Sequence, residues 1–123
     1  MEVSVIIPAK DEFNIFLKTF TAVIKQSFLP KKIIIIDSSI GNEIKNYIAD
    51  TNFKLEIIYK KIDKSFPGES RNLGVKFVET ELIAFLDSKT IPNKNWLYDF
   101  TYELEKKDAD IYFGSTKYFY KNK

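Results

Sequence analysis

Three apolar runs in this chain each end on a short polar turn that could carry chemistry. Val3–Ile7 leads into Pro8-Ala9-Lys10-Asp11-Glu12, Ile33–Ile36 into Asp37-Ser38-Ser39, and Leu82–Leu86 into Asp87-Ser88-Lys89-Thr90. Carboxylates in such turns accept hydrogen bonds and can ligate hard cations. A fourth segment, Gly68-Glu69-Ser70-Arg71-Asn72-Leu73-Gly74, holds Arg71, the single Arg among 19 basic residues. A guanidinium grips phosphate through two parallel bonds, which an ammonium cannot do. In a chain that otherwise uses Lys, this suggests a task Lys would not serve. The competing task is anchoring its own loop through backbone carbonyls.

Composition removes other chemistries. There is no Cys and no His, which excludes disulfides, Cys/His zinc sites, Cys nucleophiles and Ser-His-Asp triads. Acid–base work must fall to Asp, Glu, Lys or Tyr. The net charge is +2, and the basic residues are scattered rather than striped, which argues against nucleic acid as a partner. The chain contains neither G-x-G-x-x-G nor G-x-x-x-x-G-K-[ST], so any nucleotide must be held by side chains and turn backbone. No apolar run approaches the length of a membrane span, and the first residues read as a strand rather than a signal peptide.

Elements must position these turns. Five short apolar runs, Val3–Ile7, Ile33–Ile36, Leu55–Tyr59, Leu82–Leu86 and Ile111–Phe113, read as strands covered on both faces. Helical stripes lie between them: Phe13, Phe16, Leu17, Phe20 and Ile24; Ile40, Ile44, Tyr47 and Ile48; Trp96, Leu97, Phe100 and Leu104. Another helix is expected over Glu69–Glu79, its propensity lowered by Gly74, after an irregular loop Lys60–Gly68 with the turn signal Pro67-Gly68. With 123 residues, 45% of them hydrophobic, the chain fits one ordered domain. Alternating strands and helices predict an α/β fold with a central, mostly parallel, doubly wound sheet. Ligands of such sheets bind beyond the carboxyl ends of the strands, where these turns lie. Any one turn could equally be a helix cap; the three together favour a site.

The same segments resemble family 2 glycosyltransferases, which have the Rossmann-like GT-A three-layer sandwich. Val3–Glu12 looks like their opening strand. Gln26-Ser27-Phe28-Leu29-Pro30 through Ile36-Asp37-Ser38-Ser39 looks like their second unit. Gly68–Gly74 is similar to their A-R-N-x-G segment, and Asp87-Ser88-Lys89 stands where they carry the D-x-D metal motif, with Trp96-Leu97 following. The four pieces come in the family's order and cover nearly the whole chain. The resemblance implies that residues 1–123 are the nucleotide-sugar-binding part of a hexosyltransferase-type enzyme of polysaccharide biosynthesis. Such an enzyme moves a sugar, with inversion, from a nucleoside-diphosphate sugar, UDP-linked as the first expectation, to a glycan or lipid-linked acceptor. It also implies the binding residues: Pro8, Ala9, Lys10 and Glu12 around base and ribose, Asp37 accepting from the base, Arg71 on base or diphosphate, and Asp87, Ser88 and Lys89 near ribose and phosphates.

The departures matter as much. Lys10 stands where the family often has an aromatic, which removes base stacking from that position. Lys89 replaces a carboxylate of D-x-D, which puts Mn2+ or Mg2+ in doubt. Either Lys89 substitutes for the metal against the diphosphate, or Asp87 alone is the metal ligand, or Lys89 points to solvent. No general base is identified: Glu103, Glu105 and Asp108 are expected to face solvent. The acceptor half is absent from these residues, so the chain alone is expected to be inactive and to self-associate through its C-terminal edge and the aromatic tail Tyr118-Phe119-Tyr120. The expected location is cytoplasmic, at the inner face of the membrane where acceptor or partners hold it there. Two rivals stay open: a non-catalytic nucleotide-binding or assembly module derived from a glycosyltransferase, and an interaction module using the sheet edge and tail.

Overall fold

Runs of isoleucine favour extended backbone, because branching at Cβ restricts χ1 and packs well on a pleated surface. In the computed structural model, which describes residues 1–64 and 66–107, they form the centre of a parallel sheet. The strands are β1 (Val3–Ala9), β2 (Lys32–Asp37), β3 (Glu56–Lys61) and β4 (Leu82–Phe85), and the helices α1 (Phe13–Ile24), α2 (Glu43–Asp50), α3 (Pro67–Val75) and α4 (Trp96–Lys107). The order across the sheet is β3-β2-β1-β4, and all three pairings are parallel. β2 is buried throughout, and β1 throughout except at Pro8.

Side chains alternate between the faces with period two. Val3, Val5, Ile7 and Ala9 join Ile33 and Ile35 under Phe16, Phe20 and Val23 of α1, Ile44 of α2, and Leu97, Phe100 and Leu104 of α4. Ile6, Ile34 and Ile36 face the other way, against Leu73, Phe77 and Val78. The molecule is therefore a three-layer α/β sandwich. The chain winds outward from β1 to β3 with α1 and α2 on one face. It then returns over the opposite face through α3 to β4, on the far side of β1. β1 is the point where winding reverses, and such points open a crevice at the carboxyl edge.

Gly74 lets α3 lie close to the sheet. A Cβ there would stand 2.7 Å from Cγ2 of the buried Ile6. Gln26 fastens the loop before α4: its Nε2 donates to the Asn93 carbonyl (2.6 Å) and its Oε1 accepts from the Leu97 N–H (3.0 Å). Thr19 Oγ1 donates to the Ser88 carbonyl at 2.8 Å, so α1 also holds the turn after β4.

Several boundaries differ from the sequence reading. Ile40 is 93% exposed and lies before α2 rather than in its apolar stripe. α3 begins at Pro67, not Glu69, and ends at Val75. Pro67-Gly68 is its first turn, since Pro at the first helical position gives up no needed hydrogen bond. β3 continues through Lys60 and Lys61, and its half-exposed pattern marks it as an edge strand rather than one covered on both faces. The expected strand Ile111–Phe113, the aromatic tail and Asp108 lie outside the described residues. No described helix is long and apolar enough to cross a membrane.

Candidate functional site

The turns after β1 and β2 are built as one unit. Ala9 is level with Asp37 across the β1–β2 ladder. Beyond that pair, the Ser38 N–H donates to the Ala9 carbonyl (2.9 Å), the Asp11 N–H to Ser39 Oγ (2.6 Å), and the Ile40 N–H to Asp11 Oδ1 (3.1 Å). Asp11 and Glu12 both have left-handed backbone, at φ 54° and φ 49°. For residues with a Cβ this conformation costs on the order of 1 kcal/mol each, offset here by the cross-bonds and by the start of α1, where the Ile15 and Phe16 N–H groups reach the Glu12 carbonyl.

Above these turns lies an open cavity of about 520 Å³, bounded by the ends of β1 and β2, the turn after β4 and the first turns of α3. Its size suits a nucleotide-scale ligand. Seven of the expected residues line it: Pro8, Ala9, Lys10, Arg71, Asp87, Ser88 and Lys89. Four cations (Lys10, Lys64, Arg71 and Lys89) face two carboxylates (Glu69 and Asp87), so the cavity attracts an anion. Both carboxylates already have backbone partners. Asp87 Oδ1 accepts the Lys89 N–H at 3.0 Å, and Glu69 Oε1 accepts the Phe66 N–H at 3.1 Å. Arg71 lines the cavity, and among the described residues its guanidinium engages no carbonyl or carboxylate.

Two expected residues sit elsewhere. Asp37 is fully buried and does not line the cavity. Its Oδ1 accepts the Ser39 N–H (2.9 Å), its Oδ2 accepts the Tyr59 hydroxyl (2.5 Å), and Lys61 Nζ stands 3.8 Å away. The residue this turn presents to the cavity is Ser38. Burial and the Asp37 carboxylate push the Tyr59 phenol well above its ordinary range. Glu12 lies on the rim outside the cavity and pairs with Lys89, Oε2 to Nζ at 3.1 Å.

A divalent ion does not fit this turn in the D-x-D manner. Asp87 is its one carboxylate, Lys89 adds a positive charge, and no group of three or more candidate ligands is found among the described residues. The helical acids lie away from the cavity: Glu103 pairs with Lys107 at 2.9 Å, and Glu105 is exposed. Sequence reading missed Lys64, Phe66, Glu69 and Ser70 as cavity walls. The usable signal was Glu69 three residues after Phe66, a spacing that returns a side-chain bond to a helix start.

The parallel sheet with helices on both faces and a cationic cavity at its switch point defines an α/β sandwich domain with a candidate anion site. The chain belongs to glycosyl transferase family 2, whose family model matches residues 4–123. It is 21% identical over 116 residues to the glycosyltransferase GlyG of Streptococcus pneumoniae, covering 92% of this chain and 38% of that protein. It is 32% identical over 87 residues to an uncharacterized glycosyltransferase of Rickettsia conorii, covering 71% of this chain and 14% of that one. The crystal structure of S. aureus TarS 1-349 in complex with UDP-GlcNAc superposes with a TM-score of 0.77 at 26% identity, over 89% of this chain and 33% of that chain. The chain therefore spans well under half the length of these relatives.

Proposed function

We propose that this chain is the donor-binding part of a glycosyltransferase that takes its sugar from a nucleoside-diphosphate sugar, with UDP as the nucleotide. The observation that carries the reading is the Arg71 guanidinium, which lines a cationic cavity at the β1 switch point and is bound by none of its described neighbours. UDP and UDP-GlcNAc in the TarS crystal structures support the choice of nucleotide. The acceptor is a glycan or a lipid-linked glycan, and transfer inverts the anomeric centre.

In this reading Arg71 binds the diphosphate through two N–H donors, and Lys89 neutralises charge as the diphosphate leaves. Fixed cations aimed at a developing charge stabilise the transition state more than the ground state. The Lys89–Glu12 pair is solvent-exposed, 61% and 48% by side chain. Exposed pairs contribute only about 0–1 kcal/mol, so the ammonium can exchange Glu12 for phosphate at small cost. An inverting step also needs a base for the acceptor hydroxyl. Asp87 and Glu69 are the carboxylates lining the cavity and each holds a backbone N–H through one oxygen; in this reading they serve the donor, and the chain alone binds donor without transferring sugar.

The test is titration of UDP and UDP-GlcNAc with and without manganese, alongside a transfer assay. The wild-type chain should bind with little response to manganese. Lys89→Asp, which returns a second carboxylate to the turn, should bind in a manganese-dependent way. Strong manganese dependence in the wild type would give Asp87 the metal and remove Lys89's role. Multiple-turnover transfer by the chain alone would overturn the donor-only reading. The rival non-catalytic module shares the binding result; activity in a longer chain containing these residues would exclude it.

A further inference from the structure

Phe66 is a large apolar side chain left 76% exposed on the wall of the cavity. Its backbone is held on several sides. Its N–H donates to Glu69 Oε1, and its carbonyl accepts from the Glu69 and Ser70 N–H groups at 3.0 and 3.2 Å. Pro67 follows it, and a residue before proline is confined to extended backbone; Phe66 has φ −83° and ψ 155°. The ring is therefore presented from a fixed backbone while its faces stay open to water. An exposed aromatic contributes nothing to the core, and its burial becomes favourable only when something covers it.

A nucleotide has a flat, apolar base at one end and a charged diphosphate at the other. The cavity lining likewise holds both kinds of group, the Phe66 ring and the cations Lys10, Lys64, Arg71 and Lys89. The turn bearing Asp87 and Lys89 follows β4, on one side of β1; Ser38 follows β2, on the other. α3 packs over β1 and β2, and with the residue before it brings both Phe66 and Arg71 to the cavity wall. Lys10, on the β1 turn, has no aromatic face to offer a base. We propose that Phe66 is a donor-binding residue whose ring stacks on the nucleobase, while Arg71 and Lys89 take the diphosphate. This rests on the donor-binding reading above and adds to it the group that holds the base.

The test uses the whole chain with UDP, uridine and inorganic pyrophosphate as probes. The variants are Phe66→Ala, Phe66→Leu and Phe66→Tyr; the exposure of the ring leaves the fold intact in all three. Stacking on one aromatic side chain predicts that Phe66→Ala and Phe66→Leu weaken UDP and uridine by about 5- to 100-fold. Phe66→Tyr should keep the wild-type affinity, and pyrophosphate should bind all four proteins alike. Unchanged UDP affinity in Phe66→Ala would overturn the proposal, as would an equal loss for pyrophosphate. So would wild-type affinity in Phe66→Leu, which would make the contact one of bulk alone. If the wild type binds no UDP, the donor reading fails and takes this proposal with it; if it binds and Phe66→Ala binds equally, only the stacking role fails.

Discussion

Replacing Asp37 should damage stability far more than donor affinity. Its carboxylate is fully buried and accepts the Ser39 N–H at 2.9 Å and the Tyr59 hydroxyl at 2.5 Å, with Lys61 at 3.8 Å. Hydrogen bonds to a charged group contribute about 1.5–3 kcal/mol each. Asp37→Ala removes both and leaves the part-buried Tyr59 hydroxyl and the buried Ser39 N–H without this partner. Two such bonds put the expected loss at about 3–5 kcal/mol. Against a total stability of about 5–15 kcal/mol, the thermal midpoint should fall by well over about 10 °C. Asp37→Asn keeps an acceptor for Ser39 and lets Tyr59 accept instead of donate, so its loss should be smaller, about 1–2 kcal/mol. Urea unfolding followed by circular dichroism measures both. UDP titration of Asp37→Asn at low temperature, where it is folded, should give an affinity within about threefold of wild type, below the 1.4 kcal/mol that a tenfold change represents. Wild-type stability combined with a tenfold or greater loss of affinity would refute this reasoning, because it would put the carboxylate on the ligand.

Gly74→Ala should destabilise by about 1–3 kcal/mol through overpacking, since the added Cβ meets Ile6 Cγ2 at 2.7 Å. Gly68→Ala, with nothing within 4 Å of the added atom, should not destabilise; equal losses in urea would discount the close approach of α3. The raised Tyr59 phenol gives a pH dependence of known sign. An acid whose folded pKa lies above its unfolded value stabilises the fold fully below the unfolded pKa, about 10 for Tyr. That stabilisation is lost as pH rises above it. Unfolding midpoints from pH 8 to 11.5 should therefore fall more steeply in wild type than in Tyr59→Phe, and parallel curves would contradict the shift.

Fold class was legible because isoleucine runs and helical stripes leave little choice. Ile33–Ile36 is a short, wholly β-branched apolar run, which favours a strand covered on both faces, and the structure has it so. The limits of α3 were not legible, because Pro67-Gly68 serves a turn and a first helical turn equally well, and the close approach of α3 to Ile6 cannot be read off Gly74. In the site, Arg71 and the Asp87-Ser88-Lys89 turn were found by residue type and spacing. Asp37 was found as a strand-end carboxylate, but its orientation depends on Tyr59 and Lys61 of β3, 22 and 24 residues away. No local pattern encodes that contact. The spacing of Phe66 and Glu69 signalled a helix start, but the exposure of the Phe66 ring follows from where α3 docks, not from its neighbours in sequence.

The central claim is that Arg71 holds the diphosphate of a nucleotide in the β1 switch-point cavity. Calorimetric titration of UDP into wild type, Arg71→Lys and Arg71→Ala tests it most directly. The account predicts binding by wild type, a loss of about 10- to 100-fold in Arg71→Ala from its missing charged hydrogen bonds, and only partial rescue by Arg71→Lys, whose ammonium cannot form the paired contact. An affinity for UDP that is the same in wild type and Arg71→Ala, or no UDP binding by wild type at all, would contradict it.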